Sequence, residues 1–250
     1  MKKQPSSEKT STPIEAPSED KARRSSRALR GFLVRKEGWR LSWWGRLLVV
    51  AGIGIAVLVM FRGGYRFLAI NKPVAAECVV VEGWIDGYAL KQAAGMCNTG
   101  GYRRVFTSGG VRLDFYAGVP KRTYAEMAAS ELARFGLTNG AAQAIPCGLE
   151  GKDRTYSSAL AVKEWLRQNE PSVKSIDIIT LGAHARRTRL LFQKALGPDI
   201  KVGVISIQTR NYDTAHWWRS SSGVRDVLTE GIGYLYSRFL FHPADPERND

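Results

Sequence analysis

The chain is poor in cysteine. Its 250 residues hold three, Cys78, Cys97 and Cys147, with no C-x-x-C pair. That argues against a zinc site and leaves room for one disulfide, in an oxidising compartment, between a pair that sequence does not choose. Inert buried thiols are the plainer expectation. Zinc-finger spacings and an RNP-like aromatic motif are missing too, which removes the common nucleic-acid modules. No G-x-G-x-x-G turn follows the first predicted strand, so no dinucleotide or methyl-donor cofactor is expected. Ser108 stands outside any G-x-S-x-G elbow and is not read as a nucleophile. The uncharged run at residues 47–61 falls short of the roughly 20 residues that span a bilayer.

What is abundant is positive charge, 37 Lys and Arg against 23 Asp and Glu, a net +14. Much of the excess precedes Leu47, from Lys2 and Lys3 to Arg40 and Arg46. A basic tail beside an apolar segment meets anionic lipid headgroups sooner than nucleic acid, and no nucleic-acid partner is expected. Residues 1–40, rich in Ser, Pro, Lys, Glu and Arg without apolar period, predict a disordered cytoplasmic tail. Residues 41–66 predict a transmembrane anchor whose partner is inner-membrane lipid. Arg46 and Arg62 snorkel at its ends, and Trp43, Trp44 and Tyr65 suit the two interfaces. A buried helix of a soluble protein and a cleaved signal peptide are the rivals. The long basic leader and the lack of a nearby A-x-A site weigh against them. The positive-inside bias puts the N-terminus in the cytoplasm and the following domain outside the inner (plasma) membrane.

A hydrophobic share of 44% supports a real core. From residue 76 onward, strand, turn and helix alternate, which predicts an α/β fold. Its form is a three-layer, Rossmann-like sandwich around a mostly parallel sheet over residues 72–242, with a flexible end at 243–250. The last helix carries Val224, Val227, Leu228, Ile232, Leu235, Tyr236 and Phe239 at helical spacing, which predicts that this stripe packs on the sheet.

A parallel sheet gathers the ends of its strands at one edge, where such folds hold ligands. After the apolar run at 176–179, Gly182 permits a sharp turn. His184 and Arg187 then share one face of a helix start, although a solvated basic helix with one incidental histidine fits the same pattern. Ser108, Gly109 and Gly110 form a turn able to offer N–H groups to an anion. Glu82 and Asp86 are acid–base candidates or metal ligands, or else solvated loop carboxylates, a reading that suits Asp86 better than Glu82. Glu126 is either a further acid–base group or a first-turn residue favoured by the helix dipole. Thr155 is either a helix cap or, with Arg154, part of an anion-binding wall. Glu230, in an otherwise apolar helix, snorkels or pairs with a cation such as Arg187. His216, Trp217 and Trp218, which follow Tyr212 in a loop, form either a lid or sugar-stacking wall, or else cover the sheet edge or rest on the membrane.

The order VVVEGW, FTSGG, YAEMAASEL, RTYSSA, TLGAHARR and LTEGIGYLY resembles the SanA/ElyC/YdcF family over residues 76–241. The resemblance implies a Rossmann-like domain with a pocket. Ser108, Gly109, Gly110, Thr155, Ser158, Arg187 and the late acid Glu230 would line it, with Glu126 and His184 beside them. Membrane-anchored members are associated with envelope integrity and cell-wall polymer metabolism. The expected ligand is therefore an anionic, phosphate-bearing small molecule or lipid-linked envelope precursor. The domain would act on it as a hydrolase or transferase with catalytic His184, Glu82 and Glu126, or bind it as a regulatory module. Arg154, Ser157 and Ser158 depart from the family's usual N-T-x-E-N-A-like segment.

Overall fold

The computed structural model describes residues 33–35, 39–111, 122–137, 142–148 and 153–243. Most of the predicted tail and all but the first residue of the predicted C-terminal segment lie outside them. The chain divides into two units, Met1–Leu58 and Val59–Asp250.

In the first unit, strands β1 (Leu33–Arg35) and β2 (Trp39–Leu41) pair antiparallel, Leu33 opposite Leu41. The sequence predicts no regular structure at these positions. Helix α1 (Trp43–Leu68) starts here, its first turn held by the Ser42 hydroxyl, which accepts the Gly45 N–H at 3.1 Å. It is the one helix among the described residues long and apolar enough to cross a membrane.

The second unit takes up the last turns of α1. Phe61, Tyr65 and Leu68 pack with Trp217, Val227 and Tyr212 in a small apolar cluster. Trp217 stacks on Phe61, centroids 5.6 Å apart, and its indole N–H donates to the Phe61 carbonyl at 3.1 Å. The aromatic pair Trp217–Trp218 therefore clamps the end of α1. It forms neither the lid nor the sugar wall expected as one alternative.

The sheet follows from runs of β-branched residues. The strands are β3 (Cys78–Glu82), β4 (Arg104–Gly109), β5 (Gln143–Pro146), β6 (Ser175–Leu181) and β7 (Lys201–Ile207). They lie in the order β5-β4-β3-β6-β7, and every pairing is parallel. Central strands covered on both faces need continuous apolar sequence, which Cys78 to Val81 and Ile176 to Ile179 supply except at Asp177. Helices α2 (Gly87–Thr99) and α3 (Tyr124–Arg134) cover the face carrying Val79, Val81 and Ile179. Helices α4 (Arg154–Asn169) and α5 (Ala185–Leu196) cover the face carrying Val80, Phe106 and Ile178. Buried Asp177 ties the incoming chain to β6. It accepts the Val74 N–H at 2.9 Å and the Tyr102 hydroxyl at 3.0 Å, while burial raises its carboxyl above the ordinary range.

Two expectations are corrected by the fold. Ser108 and Gly109 belong to β4 rather than to a turn, because pairing continues through Glu82–Ser108 and Gly109–Pro146. The final helix, α6 (Ser221–Phe239), does not lay its apolar stripe on the sheet. Ile232 and Phe239 are 68% and 65% exposed, and Leu228, Leu235 and Tyr236 are exposed with them. The sheet face is already occupied by α4 and α5, so α6 packs beside α5, where Glu230 meets Arg187, and turns Gly223 and Val227 toward Trp217. The three cysteines are buried and free, so no disulfide forms. Burial pushes the Cys97 thiol up to about 12.

Candidate functional site

The candidate site grows from the ends of β3 and β6, the neighbours at which the strand order reverses. Side chains alternate across a sheet. Glu82 on β3, Ser108 on β4 and Thr180 on β6 therefore share the face of Val80, Phe106 and Ile178. Glu82 is only 3% exposed. Its Oε2 accepts the hydroxyls of Thr180 and Thr188, the latter at 3.3 Å.

After β6 the chain makes one 3-10 turn (Gly182–His184) and enters α5. Gly182 takes a φ of +52°, as the sharp turn requires. The turn places His184, itself buried, between two carboxylates. Nδ1 lies 2.9 Å from Glu230 Oε1, and Nε2 lies 3.8 Å from Glu82 Oε1 and 3.5 Å from Thr155 Oγ1. One helical turn on, Arg187 donates to Glu230 through Nε at 2.7 Å and Nη2 at 3.1 Å. Such a two-point guanidinium–carboxylate pair is strong and directional. Burial alone would raise the Glu230 carboxyl. The hydrogen bonds and charges of His184 and Arg187 overcome it and hold the group at about 2. The same pairing raises Arg187, against its own desolvation.

These contacts assign the imidazole protons. Nδ1 also lies 3.1 Å from Arg187 Nη2, but it cannot donate to Glu230 and accept from Arg187 at once. An ionised Glu230 takes the donated proton, and Nη2 is satisfied by the same carboxylate. With Nδ1 donating to Glu230, Nε2 is the nitrogen that faces Thr155 and Glu82. A base oriented by a carboxylate behind it is the arrangement used for general base catalysis. Trp84, at the turn after β3, touches the His184 ring edge-on, centroids 4.8 Å apart.

The predicted residues separate into groups. Glu82, Thr155, His184, Arg187 and Glu230 form one connected cluster. Thr155 is not a cap, since the N-cap of α4 is Asp153. Arg187 gives one edge of its guanidinium, Nε and Nη2, to Glu230. Ser108 lies in register with Glu82 and is 1% exposed, yet its hydroxyl has no hydrogen-bond partner among the described residues. Gly109 has a φ of +153°, and a Cβ there would meet Tyr124 Cβ at 2.7 Å. Gly110 lies against Cys147, whose thiol is 3.3 Å from the Ser158 hydroxyl. Arg154 is exposed at the start of α4. Glu126 is exposed and does not join the cluster. Both of its carboxylate bonds go to Thr123, in a capping box that lowers its pKa chiefly through the Thr123 N–H.

Beside Glu230 opens a cavity of about 320 Å³ lined by Trp84, Asp86, Asn211, Arg225, Asp226 and Glu230 among others. Sequence reasoning missed Thr180, Thr188, Trp84 and Asp226. Only Asp226 carried a usable signal, four residues before Glu230 and so on the same helical face. Gly233 was missed as well. It leaves room for Arg187, because a Cβ there would lie 3.0 Å from Arg187 Cδ. Among the described residues no group of three or more His, Cys, Asp and Glu is arranged to hold a metal ion.

No known protein family, curated protein or solved structure matches the chain.

Proposed function

We propose that the chain is a membrane-anchored, Rossmann-like domain of SanA/ElyC/YdcF type that acts by proton transfer on a phosphate-bearing or lipid-linked cell-envelope precursor. The observation that carries this reading is the bond from His184 Nδ1 to Glu230, which turns Nε2 toward Glu82 and Thr155. The strand order supports the finer fold, since its five strands follow the doubly wound order around a crevice at the reversal point. Helix α1 supports the anchor. The basic residues ahead of α1 support an orientation with the N-terminus in the cytoplasm and the domain across the inner membrane.

In this reading His184 Nε2 takes the proton of an attacking water or hydroxyl. The attacking oxygen bonds to the reacting centre of the substrate, the bond to the leaving oxygen breaks, and His184 returns the proton there. Glu230 stabilises the imidazolium in between, and Arg187 keeps Glu230 ionised and fixed. Ser108, with its unpartnered hydroxyl, supplies a donor for the anionic group.

The test uses the full chain in phosphatidylglycerol vesicles, given a polyprenyl-diphosphate-linked sugar, with release of phosphate or sugar phosphate followed over time. Release should occur and should fall at least about a hundredfold in His184→Gln. Equal rates in both proteins, or no release by either, would overturn the catalytic reading. The cavity next to the cluster favours one alternative, a non-catalytic ligand-binding or regulatory module. That module would keep its cellular function in His184→Gln.

A further inference from the structure

We infer that the cavity beside Glu230 is a sugar subsite that holds one pyranose ring, so that the neutral sugar of the substrate, not its phosphate, occupies this side of His184. The inference rests on the reading that the His184 cluster is the working site.

The cavity's size suits such a ligand. At about 320 Å³, it lies near the lower end of ligand pockets, roughly 300 to 1,000 Å³. Its wall is chemically divided as a sugar is. Trp84 lines one part and is 40% exposed, with the His184 ring against its edge fixing its tilt. An exposed aromatic ring of this kind packs on the C–H face of a sugar. Elsewhere in the lining, α6 and the segment after β7 bring Asp226, Arg225 and Asn211, which together accept and donate hydrogen bonds as hydroxyl groups require. Asp226 is already oriented, because the Tyr212 hydroxyl donates to its Oδ2. Its Oδ1 bonds no described residue.

Charge separates this ligand from one of its rivals. Glu230 is neutralised by Arg187, which leaves Asp86 and Asp226 against Arg225. The surplus carboxylate repels phosphate. The same surplus attracts a cation, so a quaternary ammonium ion is the rival that the test has to separate from the sugar.

The test is saturation-transfer NMR on the full chain in phosphatidylglycerol nanodiscs, with N-acetylglucosamine, choline and inorganic phosphate (the last by phosphorus line width) as probes. N-acetylglucosamine should bind, with the strongest transfer at its ring C–H protons. Trp84→Ala should weaken it about tenfold or more, and Trp84→Phe less. Asn211→Ala, which leaves the His184 contact alone, should weaken it as well. Binding of choline or phosphate in place of the sugar would overturn the inference. So would no binding of any probe, or sugar binding indifferent to Trp84→Ala and Asn211→Ala. The two readings fail separately. Sugar binding without turnover removes the catalytic proposal, and turnover without sugar binding removes this one.

Discussion

His184 Nδ1 and Glu230 Oε1 lie 2.9 Å apart, joining the turn after β6 to the middle of α6. The carboxylate involved is almost wholly buried and is also held at two points by Arg187. One acid thus orients the candidate base, anchors a guanidinium and pins α6 to the domain. That concentration of roles makes Glu230 the first residue to test.

Glu230 should make stability depend on pH in the acid range. Its folded value of about 2 lies below its ordinary 4.5. A depressed carboxyl stabilises the fold fully above the ordinary value, and that contribution is lost as pH falls through the folded one. Asp177 and Asp226, both raised by burial, act in the opposite sense. The comparison is therefore between wild type and Glu230→Gln at each pH. The penalty of the substitution should be largest above about pH 5 and shrink by on the order of 3 kcal/mol toward pH 2. Denaturation curves that stay equally far apart across that range would contradict the assignment.

Ser108 should behave as a ligand group, not a structural one. A buried hydroxyl without a partner costs stability rather than adding it. Ser108→Ala should leave the melting temperature unchanged or raise it, by the equivalent of up to about 1 kcal/mol. Turnover of the polyprenyl-linked sugar should nevertheless fall. A clear loss of stability would mean that the hydroxyl has a partner in the folded protein, and unchanged turnover would remove Ser108 from the site.

The parts legible in the sequence are those set by local chemistry. Runs such as Val79–Val80–Val81 have no place but a buried strand, so the sheet and the convergence of Glu82 with His184 could be anticipated. The three-residue spacing of His184 and Arg187 put them on one face, and pairing with a cation such as Arg187 was one of two readings of Glu230. Three readings went astray for a shared reason. The α6 stripe is periodic, but periodicity says that one face is apolar and not what covers it. Arg187 looked free to bind an anion because sequence does not show that a buried acid already holds one edge of its guanidinium. Glu126 looked catalytic by position, while its distance from Thr123 fits a capping box equally well. Thr180 and Thr188 were invisible because threonine in a strand or helix reads as packing until the carboxylate it bonds is located.

Gly233 should separate the site from the stability of its helix. Alanine is favoured over glycine inside a helix by about 1 kcal/mol. Gly233→Ala should thus cost the fold little, since the gain in α6 offsets local crowding. The added methyl would sit 3.0 Å from Arg187 Cδ and 3.1 Å from Nε, closer than packed carbons tolerate. The guanidinium must shift, and its two-point hold on Glu230 loosens. Burial would then raise the Glu230 carboxyl, and the imidazole would lose its fixed tilt. The expected result is near-normal melting at neutral pH with turnover reduced about tenfold, as small misplacements of a catalytic group produce. The acid limb of the stability curve should also move to higher pH. Wild-type turnover in this variant would show that the Arg187–Glu230 pair does not set the geometry of His184.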